Sequence, residues 1–110
     1  MAGLKNNIEL VEYLLSQTNI IEDSSFALCE KLQEVNIPSS IISIDMYAFC
    51  KCYSLTKIII PSSVTKIGTY AFFLCKSLVE IDIPASVTII EKNAFSDCKS
   101  LKKINLPPFL

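Results

Sequence analysis

Residues 61–83 read PSSVTKIGTYAFFLCKSLVEIDI and residues 84–106 read PASVTIIEKNAFSDCKSLKKINL, two stretches of 23 residues that agree without a gap at 12 positions. Agreement that dense settles internal repetition before any other reading. Residues 38–60, PSSIISIDMYAFCKCYSLTKIII, form another copy, and Pro107 opens a further one. Upstream, Ile21, Phe26, Cys29, Leu32, Val35 and Ile37 stand one period before Ile44, Phe49, Cys52, Leu55, Ile58 and Ile60, so the repetition begins near Thr18. Residues 18–110 thus make one repeat domain of about four units, the last truncated.

The repeated columns say what each unit does. In Leu55-Thr56-Lys57-Ile58-Ile59-Ile60 and its equivalents from Leu32, Leu78 and Leu101, the last four residues alternate as a strand with one buried face does. Proline follows each strand and, lacking an N–H, ends the ladder, while the Ser-Ser or Ala-Ser pair after it supplies turn chemistry. The next inward positions are Ile41, Val64 and Val87, then Ile44, Ile67 and Ile90, then the Ala-Phe pairs at 48–49, 71–72 and 94–95, then a cysteine. One such coil cannot enclose its own apolar residues. Stacking coils at the ~4.8 Å strand spacing turns each column into a buried stripe, which predicts a repeat solenoid with a parallel sheet on one side. Ala beside Phe predicts a short helical turn on the other.

The run IPSSVTKIGTYAFFLCKSL at 60–78 resembles the BspA-type leucine-rich repeat of bacterial and protist surface proteins. The resemblance covers about residues 18–110 and rests on I-P-S-S-V at 60–64, Ile67-Gly68, Ala71-Phe72, C-x-S-L at 75–78 and I-x-I-P at 81–84. It implies a right-handed coil, and adhesins of that family imply a role in binding proteins or cells. The chain departs from them in showing no secretion signal or anchor and in having few repeats.

Residues 1–17 need a separate account. Apolar side chains at 8, 11, 14 and 15, acids near the start and Asn6 or Asn7 as a cap predict an amphipathic helix covering the first coil. The same residues also resemble the second helix of an ankyrin repeat. A degenerate strand is the alternative, since Leu10-Val11-Glu12-Tyr13 mimics Leu78-Val79-Glu80-Ile81.

Composition excludes most chemistry. Ten basic and eleven acidic residues give a net charge of −1, without the excess needed to follow a phosphate backbone, so nucleic acid is not an expected partner. No stretch approaches the ~20 apolar residues that cross a bilayer, and MAGLKNNIEL has no signal-peptide pattern. The chain by itself reads as cytoplasmic, whereas the resemblance suggests the cell surface. With no histidine there is no Ser-His-Asp or Cys-His pair, and with only Gly3 and Gly68 no glycine-rich phosphate cradle. Glu80 and Asp82 are two apart on one strand face with nothing to enclose them, so the chain is not expected to be an enzyme or to hold a cofactor. Cys29, Cys52, Cys75 and Cys98 recur at the full period. Metal ligands, disulfides and buried free thiols are all compatible with that column, and thiols fit best: five is an odd count and cysteine is a small hydrophobe. Cys50, offset from the column, is the thiol expected to be accessible.

The outward face of the sheet remains. Alternation points Glu34 and Asn36, Lys57 and Ile59, Glu80 and Asp82, Lys103 and Asn105 away from the core, and these eight are the candidate partner-binding residues. The first of each pair runs Glu, Lys, Glu, Lys, a charge ladder that could simply solubilise the sheet and fix its register. Ile59, apolar among polar neighbours, instead centres a contact patch for a protein partner. The alternative role is structural: a segment of a larger solenoid, or an end-to-end homo-oligomer joined through the uncapped C-terminal end. That end closes only with Pro107-Pro108-Phe109-Leu110.

Overall fold

The computed structural model describes residues 7–108, which form a helix and eight short strands wound into four stacked coils. Helix α1 spans Ile8–Ser16. Asn7 starts it: its side-chain oxygen accepts the Leu10 N–H at 3.1 Å, satisfying one orphan donor of the first turn, with Glu9 at the favourable end of the helix dipole. Val11 and Leu15, one turn apart, are 0% and 1% exposed and cover the first coil, which is why helix prevails over strand here. The other capping candidate, Asn6, lies outside the described residues, as do Phe109 and Leu110.

Each coil contributes two strands. Ile20–Ile21 (β1), Ser43–Ile44 (β3), Lys66–Ile67 (β5) and Ile89–Ile90 (β7) build one continuous parallel sheet. Glu34–Asn36 (β2), Lys57–Ile59 (β4), Glu80–Asp82 (β6) and Lys103–Asn105 (β8) follow one another on a second side. Register is one repeat throughout: Ile44 faces Ile67, and Val35 faces Ile58. The second side is the sheet anticipated from the alternation, and the four-stranded ladder of β1, β3, β5 and β7 is an addition to it. Its strands are two residues long, too short to show a period of two.

The second sheet is split. β2 pairs with β4 and β6 with β8, but no backbone hydrogen bond joins β4 to β6. The Ile37 N–H reaches the Ile59 oxygen at 3.1 Å and the Ile83 N–H reaches the Asn105 oxygen at 2.8 Å, while the equivalent bond from Ile60 to Asp82 is missing. Across the same two coils, on the β3–β5 side, Gly68 donates its N–H to the Ile44 oxygen at 2.7 Å. A Cβ at Gly68 would stand 2.7 Å from the Asp45 carbonyl carbon and 2.8 Å from the Met46 nitrogen, so only glycine fits there. Coils two and three thus close up beside Gly68 and part between β4 and β6. Amide hydrogen exchange followed by NMR should find Ile60 exchanging at least about tenfold faster than Ile37 and Ile83. Equal protection at the three amides would mean the ladder is unbroken.

Between the sheets lies a core with no buried polar or charged residue among those described. Phe26, Phe49, Phe72 and Phe95 form a stack, with centroids 5.6, 5.5 and 5.3 Å apart in turn and interplanar angles of 14° or less. The helical turns expected beside them take the form of successive three-residue turns, such as the Ala48 N–H to Asp45 oxygen and Cys50 N–H to Tyr47 oxygen bonds. Continuous helix is prevented by left-handed residues at strict 23-residue spacing: Ser24, Tyr47, Tyr70 and Asn93, then Leu28, Lys51, Leu74 and Asp97. None is glycine, and a left-handed Tyr or Leu costs about 1 kcal/mol or more. The neighbouring coil offsets it. The N–H groups of Tyr47 and Lys51 bond the Thr69 and Phe73 oxygens one coil on, at 3.1 and 2.7 Å.

Candidate protein-binding face

The outward residues of β2, β4, β6 and β8 point where alternation placed them. Each strand buries its central residue in the first three coils, with Val35, Ile58 and Ile81 at most 3% exposed, and turns its flanking residues to solvent. Glu34, Asn36, Lys57, Glu80, Asp82 and Lys103 are exposed, Ile59 is 46% exposed and Asn105 is half-buried. In the last coil Ile104, 39% exposed, has no further coil described over it.

The charge ladder closes at only one rung. Lys103 Nζ stands 3.9 Å from Glu80 Oε2, and Asn105 Nδ2 donates to Glu80 at 3.3 Å and also to the Asp82 carboxylate. Glu34 and Lys57 are in register but not within 4.0 Å, and Lys57 and Glu80 stand on either side of the split. An exposed pair of this kind contributes at most about 1 kcal/mol, so its absence elsewhere leaves the fold intact. Toward α1 the Asn36 N–H donates to Glu12 Oε1 at 3.1 Å, so a helix carboxylate covers the open edge of β2.

Two hollows indent this face. One lies over the β4–β6 split, walled by Thr56, Lys57, Ile59, Val79, Glu80 and Asp82 with Ile58 at its floor. The other lies between the start of α1 and β2, and Thr56 is common to both. Val79, 46% exposed, was not among the candidate residues. Its column reads Gln33, Thr56, Val79, Lys102, and that variety was a legible sign of an outward position.

The cysteine column is interior and forms no disulfide. Three of its thiols donate to a phenylalanine carbonyl of the preceding coil: Cys52 to Phe26 at 3.2 Å, Cys75 to Phe49 at 3.2 Å and Cys98 to Phe72 at 3.0 Å. Cys50 contradicts the expected accessibility. It is 6% exposed, because its turn folds inward and its carbonyl accepts the Leu28 N–H at 2.8 Å, and burial pushes its thiol pKa up despite the Lys51 charge. Among the described residues no group of His, Cys, Asp and Glu is arranged to hold a metal, and no helix is long and apolar enough to cross a membrane.

The sequence matches the model of the BspA-type leucine-rich repeat region over residues 5–110, in six copies. The chain belongs to the BspA-type leucine-rich repeat family. A leucine-rich cell surface protein of Faecalibacterium prausnitzii aligns with 79% of the chain at 30% identity and a TM-score of 0.71. The leucine-rich repeat protein of T. pallidum covers 80% at 29% identity, and one from Bacteroides ovatus covers 80% at 34%, both with TM-scores of 0.62. The chain spans 29%, 52% and 29% of those three proteins, so each extends well beyond the part this leucine-rich repeat chain resembles. No curated protein matches it. Leucine-rich repeats of this kind are in general protein-interaction modules.

Proposed function

We propose that the chain is a protein-binding module that engages its partner with the outward face of β2, β4, β6 and β8, and that it is not an enzyme. The observation that carries this is the pair Ile59 and Val79, both 46% exposed in the middle of an otherwise polar and charged face. Exposed apolar residues rimmed by polar ones mark contact surfaces, and a face of four short strands fits a weak or multivalent contact better than a standard ~800 Å² interface. Around it Glu34, Asn36, Lys57, Glu80, Asp82, Lys103 and Asn105 supply the polar rim, with residues 1–17 as the cap and 18–110 as the repeat domain. A net charge of −1 offers nothing to nucleic acid. The F. prausnitzii relative is a cell surface protein, which favours a role at a cell surface, and an adhesin-like contact there is part of this proposal.

Pull-down from extracts tests it, comparing the wild-type chain with one changed together at Lys57→Ala, Ile59→Asp and Glu80→Ala. Partners retained by the first and lost by the second are the expected result. An identical set, from two proteins with the same circular dichroism, would remove the face from consideration. A second reading rests on Ile104 and Leu106, 39% and 57% exposed on the last coil: another coil of the same period, in a second copy or in further repeats, would cover them. Concentration-dependent sedimentation of the same samples reads that out, and a constant monomer mass would exclude the second copy.

A further inference from the structure

We infer that the hollow over the β4–β6 split seats one apolar side chain of an extended polypeptide, whose neighbouring residue presents a carboxylate to Lys57. This rests on the reading of the sheet face as the binding face and adds the chemistry of the partner. The site follows from the fold. Where paired strands run edge to edge the outward side chains stand on a closed floor, whereas between β4 and β6 the backbone ladder is interrupted and a hollow opens between Ile59 and Val79. On the β3–β5 side of the same two coils the backbones meet closely at Gly68, where a Cβ would touch Asp45 and Met46.

Shape selects an extended partner. A docking helix needs apolar anchors at i, i+3 or i+4 and i+7, spread over two turns. This hollow offers a single apolar spot, continued past Thr56 into a second hollow edged by Gln33 and Glu34, which suits a strand-like segment with one anchor. Four strands ~4.8 Å apart span the length of about five extended residues.

Charge selects the neighbour. Glu80 pairs with Lys103 and accepts from Asn105, and Asp82 accepts from the Asn105 amide, so both carboxylates beside the hollow are directed toward the β6–β8 half. Among the described residues Lys57 makes no ion pair within 4.0 Å, and its ammonium is the group at the hollow placed to recognise an incoming anion. Glu34, which makes no such pair among the described residues, borders the other hollow. An anion arriving at Lys57 therefore does not displace an existing partner.

A display library of random linear 12-residue peptides, selected on the whole chain and followed by fluorescence polarisation of the recovered peptides, tests this. Recovered peptides should carry Asp or Glu within two residues of a large aliphatic or aromatic residue. Ile59→Asp, or Val79→Asp if that variant does not fold, should weaken them at least about tenfold. Lys57→Glu should weaken them about threefold or more and, on reselection, turn the preference to Lys or Arg. Loss with Ile59→Asp but an unchanged charge preference with Lys57→Glu would overturn the partner chemistry and leave the face as the binding site. Peptides indifferent to all three substitutions would overturn the face as well. A library yielding no binder would sink the extended single-anchor partner, while the pull-down still decides on the face.

Discussion

Replacing Phe72 by Ala should cost the protein about 3–5 kcal/mol. The ring is 0% exposed and lies between Phe49 and Phe95 with centroids 5.5 and 5.3 Å away, so the space it leaves opens into both neighbouring coils. Its backbone cannot move to fill the gap: the Phe72 N–H is bonded to the Ala94 oxygen at 2.8 Å and its carbonyl accepts the Cys98 thiol. Such a loss is a large share of the stability of a small domain. Urea titration by circular dichroism measures it, and a change below about 1 kcal/mol would mean that the phenylalanine stack does not carry the core.

The second large effect is alkaline. Cys52 shares a hydrogen bond with the Cys29 thiol and is desolvated by burial, while Cys75 is desolvated by burial and lies beside Cys98, and both ionise well above their ordinary value of 9.0. Cys98, in the last described coil, is pushed by burial to about 11. An unfolded chain releases these protons near pH 9 and the folded chain keeps them. The stability involved is therefore complete below pH 9 and declines as the pH climbs from there toward the folded-state values. Each deeply buried thiol contributes about 1.4 kcal/mol per pH unit in that window, so Cys52 and Cys75 together should remove about 3 kcal/mol by pH 10. Thermal melts from pH 7 to 10.5 should fall steeply above 9, and a Cys52→Ala, Cys75→Ala protein should show a shallower decline. Parallel slopes in the two proteins would mean that the alkaline loss does not come from these two thiols.

The 23-residue period carried most of this molecule in plain view. Ile44, Phe49, Cys52, Leu55 and Ile58 and their equivalents in the first three coils were legible as core because a stacked coil has only one inside, and the same alternation exposed Lys57, Ile59, Glu80 and Asp82. Less legible were features that depend on distances between coils. A lone glycine in the column Glu22, Asp45, Gly68, Glu91 was the one trace of the close approach that accompanies the β4–β6 split, and nothing in β4 or β6 themselves announced it. Cys50 was misplaced because its burial depends on a turn geometry set by Lys51, a residue type with no left-handed preference. Val79 was passed over because it stands just before the alternating stretch.

Those left-handed residues carry one more implication. Six of them, Ser24, Leu28, Tyr47, Lys51, Tyr70 and Leu74, aim their N–H groups at carbonyls one coil further on, and none is an Asn, Asp or Gly that would take the conformation unaided. Asn93 and Asp97, the equivalents in the last coil, are of the tolerant types. The shape of each turn is therefore encoded one unit downstream of the residues that adopt it, and a change in one coil is felt as backbone strain in the coil before.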